Sequence, residues 1–526
     1  MDVFGRTTGS VWLSGLVRQA LCWMALGQSM ICASDPDVNR EAINRITVSD
    51  LRRHCETLAS DALEGREAGA RGGQAAAAYL QSELRKIPGI SPATKSGWVQ
   101  EFDPNYRNVL AVLPGSDPEL RREVIIIGAH YDHVGRGNQN NSQGPIGYIH
   151  NGADDNASGT AALLELIDAF SSLKKGPRRT ILFAFWDAEE IGLFGSKHWV
   201  SRPTHPLKDL RLVVNIDMLG RLREGKLIVV GWRSSPGLRL RLARQNRSGD
   251  LNFHYEPTVI GDSDHHPFYM AGIPILHLDS GKHEDYHRPS DDADKLNYAG
   301  IRQIAELVFQ LVHESANDEK LPPFRRETLT ETPPAWLTAS SQPTNSPRLG
   351  VSFDPKQFAT NQAVLATVNP GSAAANGGLI AGDKLIQFGH WQGGAVADLL
   401  TIIQVAQNPV TAHVERVGSA VPVELQLMLS RDPVRVGVGW TADSAIPDGL
   451  IITRIIADAP AARAGLRVGD VIWRVSGEPI TTEDDLRRHL QNDPGPIPFQ
   501  VERSGRILDI AVPLFEPPAS TADGPR

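Results

Sequence analysis

The feature that most constrains the fold is a series of short, uninterrupted apolar runs that alternate with helix-like segments between residues 48 and 313. A strand with one solvated face alternates apolar and polar residues, whereas a continuous apolar run predicts a strand buried on both faces. Segments at 75–84, 158–170 and 300–314 have helical spacing. We therefore predict an α/β fold, a mixed and mostly parallel sheet with helices on both faces. The runs are VIII (124–127), ILFAF (181–185), LVVNI (212–216), LIVV (227–230) and PILHL (274–278).

The last third of the chain contains an internal repeat. RLGV (348–351) recurs as RVGV (435–438), and Asp383 recurs as Asp470, an offset of 87 positions (470 minus 383). Pro, Thr, Ser and Glu dominate residues 318–347, which is typical of a linker. Because 526 residues exceed what one core supports, we divide the chain as follows: a signal peptide (1–33), a catalytic-type domain (34–317), the linker (318–347), two small β-rich modules (348–430 and 431–516) and a tail (517–526).

The first 33 residues have the pattern of an export signal. Arg6 and Arg18 precede an apolar stretch, residues 20–33, which ends in Ala33, a residue small enough for a signal peptidase. The stretch is shorter than the roughly 20 residues that a membrane-spanning helix needs, and the residues before Cys32 make a poor lipidation site. We therefore predict a periplasmic or secreted protein without an integral membrane span. Removal of the signal would leave Cys55 as the single cysteine, so that no intramolecular disulfide could form.

The charge balance argues against nucleic acid as a partner. The formal net charge is -8, and no block rich in Lys and Arg follows the N-terminal region.

Five motifs with acidic and histidine side chains lie where an α/β enzyme places its ligands. Four follow the apolar runs and one opens a helix, and ligands of open α/β sheets bind beyond the carboxyl ends of the strands. We therefore expect the five motifs to converge on one cleft. The motifs are AHYD (129–132), GADDN (152–156), DAEE (187–190), Asp217 and DYH (285–287).

These residue types suit divalent metal ions. Zinc accepts imidazole nitrogen and carboxylate oxygen, and two His, two Asp and one Glu can serve two ions only if one carboxylate bridges them. A further carboxylate must accept the proton of the attacking water, and the pair Glu189 and Glu190 offers one ligand and one general base. Each motif alone is equally compatible with a hydrogen-bonded core histidine or a solvated helix start. The five together predict a metal site.

The same motifs resemble those of the two-zinc aminopeptidase family that also contains glutamate carboxypeptidase II. The resemblance covers roughly residues 40–315, and it includes SDALEGR (60–66) upstream and SDHHPFY (263–269) downstream. It implies that His130 and Asp217 hold one zinc, that Glu190 and His287 hold the other, and that Asp154 bridges the two.

The resemblance also implies roles for residues that do not bind the metal. Glu189 would be the general base, and Asp132 would fix the ring of the metal-binding histidine. Tyr286 is a candidate donor to the developing oxyanion, although an aromatic wall explains it equally well, and Asp155 would orient its neighbour. The remaining histidines, His133 among them, are expected at the surface or behind the ligands.

The repeated modules look like PDZ domains of the bacterial protease-associated kind. Backbone N–H groups near Leu349 and Gly350, and near Val436 and Gly437, would hold the carboxylate of a peptide added to the sheet edge. The partners would then be peptide or protein C-termini. A packing or oligomerisation role without a peptide ligand remains an equal alternative.

The predicted function is metal-dependent removal of terminal residues from peptides, with the amino end favoured, by a hydroxide that bridges two zinc ions. Two alternatives stay open. One is a glutaminyl cyclase, which shares this fold and uses one zinc, and the other is a non-catalytic peptide-binding protein. The full ligand set argues against the first, and the presence of Glu189 argues against the second.

Overall fold

A computed structural model describes residues 36–102, 105–246, 248–332, 348–394, 396–430, 435–456, 459–493 and 495–514. The predicted signal peptide (1–33) and the predicted C-terminal tail (517–526) fall outside the described residues. Within the described residues, every helix is too short or too polar to cross a bilayer.

A nine-stranded sheet forms the centre of the first domain. Its strands are β1 (Ser91–Pro92), β2 (Val99–Phe102), β3 (Tyr106–Leu113), β4 (Val124–His130), β5 (Thr180–Trp186), β6 (Leu210–Ile216), β7 (Lys226–Val230), β8 (Asn252–Glu256) and β9 (Ile275–Asp279). They are ordered β1-β3-β5-β4-β6-β9-β7-β8, with β2 beside β3. The four central strands β5, β4, β6 and β9 are parallel, whereas β3 and β7 run antiparallel to their central neighbours.

Helices cover both faces of this sheet. They are α1 (Pro36–Ile43), α2 (Val48–Leu58), α3 (Arg71–Leu84), α4 (Gly159–Ser171), α5 (Phe194–Ser201), α6 (Leu238–Gln245), α7 (His265–Met270) and α8 (Tyr298–Asn317). Short 3-10 helices lie at Asp61–Arg66, Leu120–Arg122, Leu207–Asp209, Ala293–Lys295 and Arg326–Leu329.

The alternation of side chains along β4 shows why both faces are buried. Ile125 and Ile127 belong to a core formed with α2, α4 and α8, whereas Ile126 belongs to a second core with Trp199 of α5 and Phe268 of α7. Successive side chains of a strand point to opposite faces, so an uninterrupted apolar run fills two cores at once. The predicted α/β architecture is confirmed.

The C-terminal region forms two smaller antiparallel sheets, as predicted. The first contains β10 (Val351–Phe353), β11 (Ala363–Val368), β12 (Lys384–Phe388), β13 (Val410–Glu415) and β14 (Val423–Leu427), with α9 (Pro355–Phe358), α10 (Ala373–Asn376) and α11 (Val396–Val405). The second contains β15 (Val438–Asp443), β16 (Ile446–Ile455), β17 (Val471–Val475), β18 (Glu478–Pro479), β19 (Ile497–Arg503) and β20 (Arg506–Val512), with α12 (Pro460–Ala464) and α13 (Glu483–Asn492).

The repeat is visible in the contacts of equivalent residues. The guanidinium of Arg348 donates to carbonyl oxygens at the end of α11, among them those of Ile403 and Ala406. Arg435 donates in the same way to Leu490 and Asp493 at the end of α13. The basic residue before each Gly-Val pair therefore satisfies the free carbonyls of the module's longer helix.

The second module packs directly on the first domain. Arg239 of α6 forms a buried ion pair with Glu502 of β19, with Nε and Oε2 2.5 Å apart and side chains 6% and 0% exposed. The apolar side chains of Ala445 and Ile446 join the main core of the first domain. This module and the first domain therefore share an interior.

Part of the predicted linker also packs on the first domain. Glu331 accepts hydrogen bonds from Arg325 and Arg233, and Arg233 also pairs with Asp443 of the second module. The hydroxyl of Tyr269 donates to the carbonyl of Thr328. Residues 318–332 thus pack on the first domain and do not form the free linker predicted from composition, whereas 333–347 lie outside the described residues.

Candidate metal centre

Parallel strands bring the predicted ligands to one edge of the sheet. His130 ends β4 and pairs in register with Trp186, which ends β5 directly before the DAEE motif. β6 ends at Ile216, one residue before Asp217, and the loop after β9 carries His287. The GADDN motif forms a π-helical turn, Ala153–Ser158, at the start of α4.

The first group of donor atoms consists of His130, Asp155 and Asp217. Nε2 of His130 lies 3.1 Å from Oδ1 of Asp217 and 3.3 Å from Oδ1 of Asp155. All three residues are buried, and their donor atoms lie close enough together to surround one metal ion.

The second group contains the other oxygen of Asp155. Nε2 of His287 lies 3.0 Å from Oδ2 of Asp155 and 3.1 Å from Oε2 of Glu190. The ring of His133 also faces this group, with Nδ1 2.7 Å from Oε1 of Glu190. His130, Glu190, Asp217 and His287 are thus brought together, each in the pair that the resemblance implied.

The residue shared by the two groups is Asp155, and the prediction of Asp154 as the bridging ligand is corrected. Oδ1 of Asp154 accepts hydrogen bonds from the backbone N–H of Gly220 at 2.5 Å and from the hydroxyl of Ser158 at 3.1 Å. Its other oxygen, Oδ2, lies 3.1 Å from Nε2 of His283. The side chains of Asp154 and Asp155 point in different directions, so only that of Asp155 faces both His130 and His287. The role predicted for Asp155, that of orienting its neighbour, is not the one its position suggests.

Two residues that the sequence did not single out hold the backbone of this turn. The carboxylate of Asp291 accepts hydrogen bonds from the N–H groups of Asp154 and Asp155 at 2.9 and 3.1 Å. Arg66 is fully buried and donates to backbone carbonyls, including those of Tyr131 at 2.8 Å and Gly152 at 2.8 Å. The only sequence signal for Arg66 was its place in the SDALEGR motif.

Asp132 lies behind the ligands, where it was predicted, but its carboxylate has other partners. It accepts hydrogen bonds from the N–H groups of Glu189 at 3.1 Å and Glu190 at 3.4 Å. Nδ1 of His130 lies 3.2 Å from the carbonyl oxygen of Asp132 and 3.7 Å from its carboxylate. Asp132 therefore fixes the position of the two glutamates and, through its backbone, the ring of His130.

The buried charges of the cluster suit a cation. Burial opposes the charged form of His287, yet its hydrogen bonds to Asp155 and Glu190 raise its pKa to about 11. Burial and the charge of Asp155 act to raise the pKa of Glu190, but His133 and His287 hold it at about 2. Buried carboxylates of this kind need a proton or a metal ion nearby, and imidazole with carboxylate is a donor set that zinc accepts. The residues present therefore fit two zinc ions.

A cavity of about 320 Å³ opens from the donor groups and is lined by Glu189 and Tyr286. The ring of Tyr286 stacks on that of His287 with centroids 3.9 Å apart, and burial raises the pKa of its hydroxyl. The phenol therefore keeps its proton and can donate a hydrogen bond. The other lining residues include apolar and acidic side chains and one lysine. They are Met218, Ile228, Val230, Ile260, Glu256, Asp262, Asp279 and Lys282.

The predicted peptide-binding residues of the two modules occupy equivalent loops. Gly350 has a φ of +78°, and a Cβ atom there would lie 2.4 Å from Ser372. Gly437 has a φ of +84°, and a Cβ atom there would lie 2.3 Å from Ala459. Leu349 and Val436, which precede them, are buried. The loops lead into β10 and β15, which each lie at the end of their sheet.

The chain was compared with known proteins. Residues 108–312 match the model described as Peptidase family M28, and residues 451–503 match the PDZ domain model. Leupeptin-inactivating enzyme 1 of Streptomyces exfoliatus is 32% identical over 189 residues, 36% of this chain and 38% of that protein. Aminopeptidase YwaD of Bacillus subtilis is 29% identical over 210 residues, 38% of this chain and 43% of that protein.

The chain thus spans less than half the length of these two relatives. Among solved structures, the LapA aminopeptidase of Legionella pneumophila matches with a TM-score of 0.45 and 21% identity, over 54% of this chain and 75% of that one.

Proposed function

With residues 108–312 forming a peptidase family M28 domain, we propose that the protein is a metal-dependent aminopeptidase that uses two zinc ions. One observation carries the proposal. Two groups of buried and half-buried donor residues share the carboxylate of Asp155, and Glu189 lines the same cavity. Two ions held in this way would polarise the scissile carbonyl and acidify a bridging water.

Two of the five proposed ligands are held by a second contact. Nδ1 of His287 lies 2.7 Å from the carbonyl oxygen of Asn141, and Oδ2 of Asp217 accepts a hydrogen bond from Ser263 at 2.8 Å. Contacts of this kind fix the orientation of a ligand before the metal binds. The loop from 136 to 149 therefore supports a ligand through the carbonyl of Asn141.

Glu189 is the proposed proton carrier. Its N–H group is held by Asp132, and burial raises the pKa of its carboxyl well above the usual range. A carboxylate with a raised pKa accepts a proton from water more readily and later returns it to the leaving amine. Tyr286, still protonated, would donate to the oxygen that becomes negative in the transition state.

The charge of the cavity favours a substrate with a free amino end. Three acidic residues line the cavity, Glu256, Asp262 and Asp279. Among the described residues, its lining contains a single lysine, Lys282, and no arginine, and Nζ of Lys282 lies 4.5 Å from the centre of the Tyr286 ring. A terminal ammonium would find carboxylates there, and a terminal carboxylate would be repelled. Peptides with a free amino end are therefore the proposed substrates.

The proposal is tested with amino acid anilides and N-acetylated anilides, assayed with and without a chelator. We expect hydrolysis of the free forms only, loss of activity with the chelator and recovery with zinc. Cyclisation of N-terminal glutamine with one zinc per chain would instead favour the glutaminyl cyclase alternative. Failure to hydrolyse any free or blocked substrate in the presence of zinc would favour a binding protein.

For the C-terminal modules we propose capture of protein C-termini along β15, beside Val436 and Gly437, and along β10, beside Leu349 and Gly350. The PDZ match of residues 451–503 supports this for the second module. Selection from a library of peptides with free C-terminal carboxylates tests it. Enrichment that disappears when the carboxylate is amidated supports capture, and no enrichment supports a packing role.

We also propose that the protein is exported and that residues 1–33 are removed. The charged and apolar pattern of these residues supports the proposal. Mass spectrometry of the protein from a cell fraction would show a mature chain beginning at Ser34, whereas an intact Met1 end in the cytoplasm would contradict it.

A further inference from the structure

A third imidazole faces the metal centre besides those of His130 and His287. His133 lies three residues after His130, just beyond the end of β4, and its side chain is fully buried. Its backbone N–H donates to the carbonyl oxygen of Arg66 at 3.2 Å. The position of this ring is therefore fixed by the buried backbone around the centre, although the proposed function assigns it no role.

The donor atoms of His133, Asp155, Glu190 and His287 lie close enough together to surround one ion. Two ligands on a tetrahedral zinc, each about 2.0–2.2 Å from the metal, lie roughly 3.3 Å apart. Nδ1 of His133 lies 2.7 Å from Oε1 of Glu190 and 4.0 Å from Oδ2 of Asp155. Nε2 of His287 lies 3.1 Å from Oε2 of Glu190 and 3.0 Å from Oδ2 of Asp155. These four separations fall on both sides of the tetrahedral value.

The ring is also closely packed against the centre. A Cβ atom on Gly152 would lie 2.4 Å from Cδ2 of His133, so that glycine makes room for the ring. On the other side, the rings of His133 and His287 meet edge to face with centroids 5.5 Å apart. The imidazole therefore has little freedom to turn away from Glu190.

We propose that His133 binds zinc directly through Nδ1, as a fourth protein ligand beside Asp155, Glu190 and His287. The inference rests on the proposed function, because it assumes that both donor groups are occupied. The two positions would then differ: one would have four protein donors, and the other would have the three donors His130, Asp155 and Asp217. The position with four protein donors should hold its ion more tightly.

The competing explanation is a hydrogen bond from Nδ1 of His133 to Glu190 without contact to the ion. The variant H133N separates the two, because the amide N–H₂ of asparagine can replace the Nδ1–H donor but is a poor zinc ligand. H133A removes both possibilities. H54N is the matched control, since His54 is also buried but contacts Tyr79 and Glu165.

X-ray absorption spectroscopy of the zinc-loaded full chain counts imidazoles, and chelator competition measures affinity. We expect three imidazoles for two zinc ions in the wild type and in H54N, and two in H133N and H133A. The affinity of the tighter position should fall more than about 100-fold in both variants, beyond the usual effect of losing a partner behind a ligand. Circular dichroism checks that the variants are folded.

Two zinc ions with two imidazoles in the wild type, together with wild-type affinity in H133N, would overturn the inference and leave the proposed function intact. A wild-type chain that binds no zinc would overturn both.

Discussion

Oδ2 of Asp155 lies 3.0 Å from Nε2 of His287, while Oδ1 of the same carboxylate faces His130 at 3.3 Å. One side chain thus connects a strand end on one side of the cleft with a loop on the other. This relationship makes Asp155 the residue on which occupancy of both metal positions depends.

The first prediction compares neighbouring carboxylates. D155N should lower zinc binding at both positions and reduce kcat/KM more than about 100-fold, because an amide cannot bridge two cations as a carboxylate does. D154N should have a smaller effect, since its amide oxygen can still accept from Gly220 and Ser158. Zinc content and anilide hydrolysis measure both variants. Loss of zinc in D154N with normal zinc in D155N would return the bridging role to Asp154.

The second prediction concerns the general base. E189Q should lower kcat about 10²–10⁴-fold, the usual contribution of general acid–base catalysis, and should keep its zinc. The glutamine preserves the shape of the side chain and the hydrogen bond from its N–H to Asp132. Steady-state kinetics and zinc analysis of the same preparation provide the measurement. Normal turnover in E189Q would mean that another group accepts the proton.

The third prediction concerns the ion pair between the first domain and the second module. E502Q leaves the buried guanidinium of Arg239 without its charged partner, and we expect a loss of about 3–5 kcal/mol. The control is E483Q, because Glu483 pairs with Arg487 at the surface and its side chain is 44% exposed. Urea denaturation followed by fluorescence compares them. Equal stability of the two variants would contradict tight packing of the module on the first domain.

The fourth prediction concerns acid stability. Burial opposes ionisation of Glu331, but hydrogen bonds from Arg325 and Arg233 hold its pKa at about 2, below the value of about 4.3 for an unfolded chain. Its contribution is therefore fully present above the unfolded pKa and is lost as the pH falls from about 4.5 towards 2. Because the group is partly exposed, we expect roughly 1 kcal/mol.

E331Q should therefore be less stable than the wild type at neutral pH, and the difference should shrink as the pH falls through that window. E327Q, a change in the short helix that ends two residues before Glu331, serves as control. Denaturant unfolding at a series of pH values measures the difference. A difference that stays constant from pH 7 to 2 would show that the charge of Glu331 does not stabilise the fold.

The sequence predicted the sheet and four of the residues that now surround the centre for one physical reason. Parallel strands end at a common edge, so His130 and Asp217 had to meet once β4 and β6 were recognised. The choice between Asp154 and Asp155 depends on the backbone of a π-helical turn, which residue types do not specify.

Other contacts depend on parts of the chain that meet only after folding. Arg66 acts through backbone carbonyls, so no pattern of partner side chains marks it. The packing of residues 318–332 depends on Arg233, which lies in the loop after β7. Composition correctly marks this stretch as irregular, but it does not reveal what an irregular segment contacts.

The central claim is that two cations bind around Asp155. The most direct measurement is the zinc content of the full chain, determined by elemental mass spectrometry. The protein is purified without chelator and equilibrated with zinc before the measurement. We expect two zinc ions per chain in the wild type and in E189Q, and fewer in D155N. One ion or none in the wild type, or two in D155N, would contradict it.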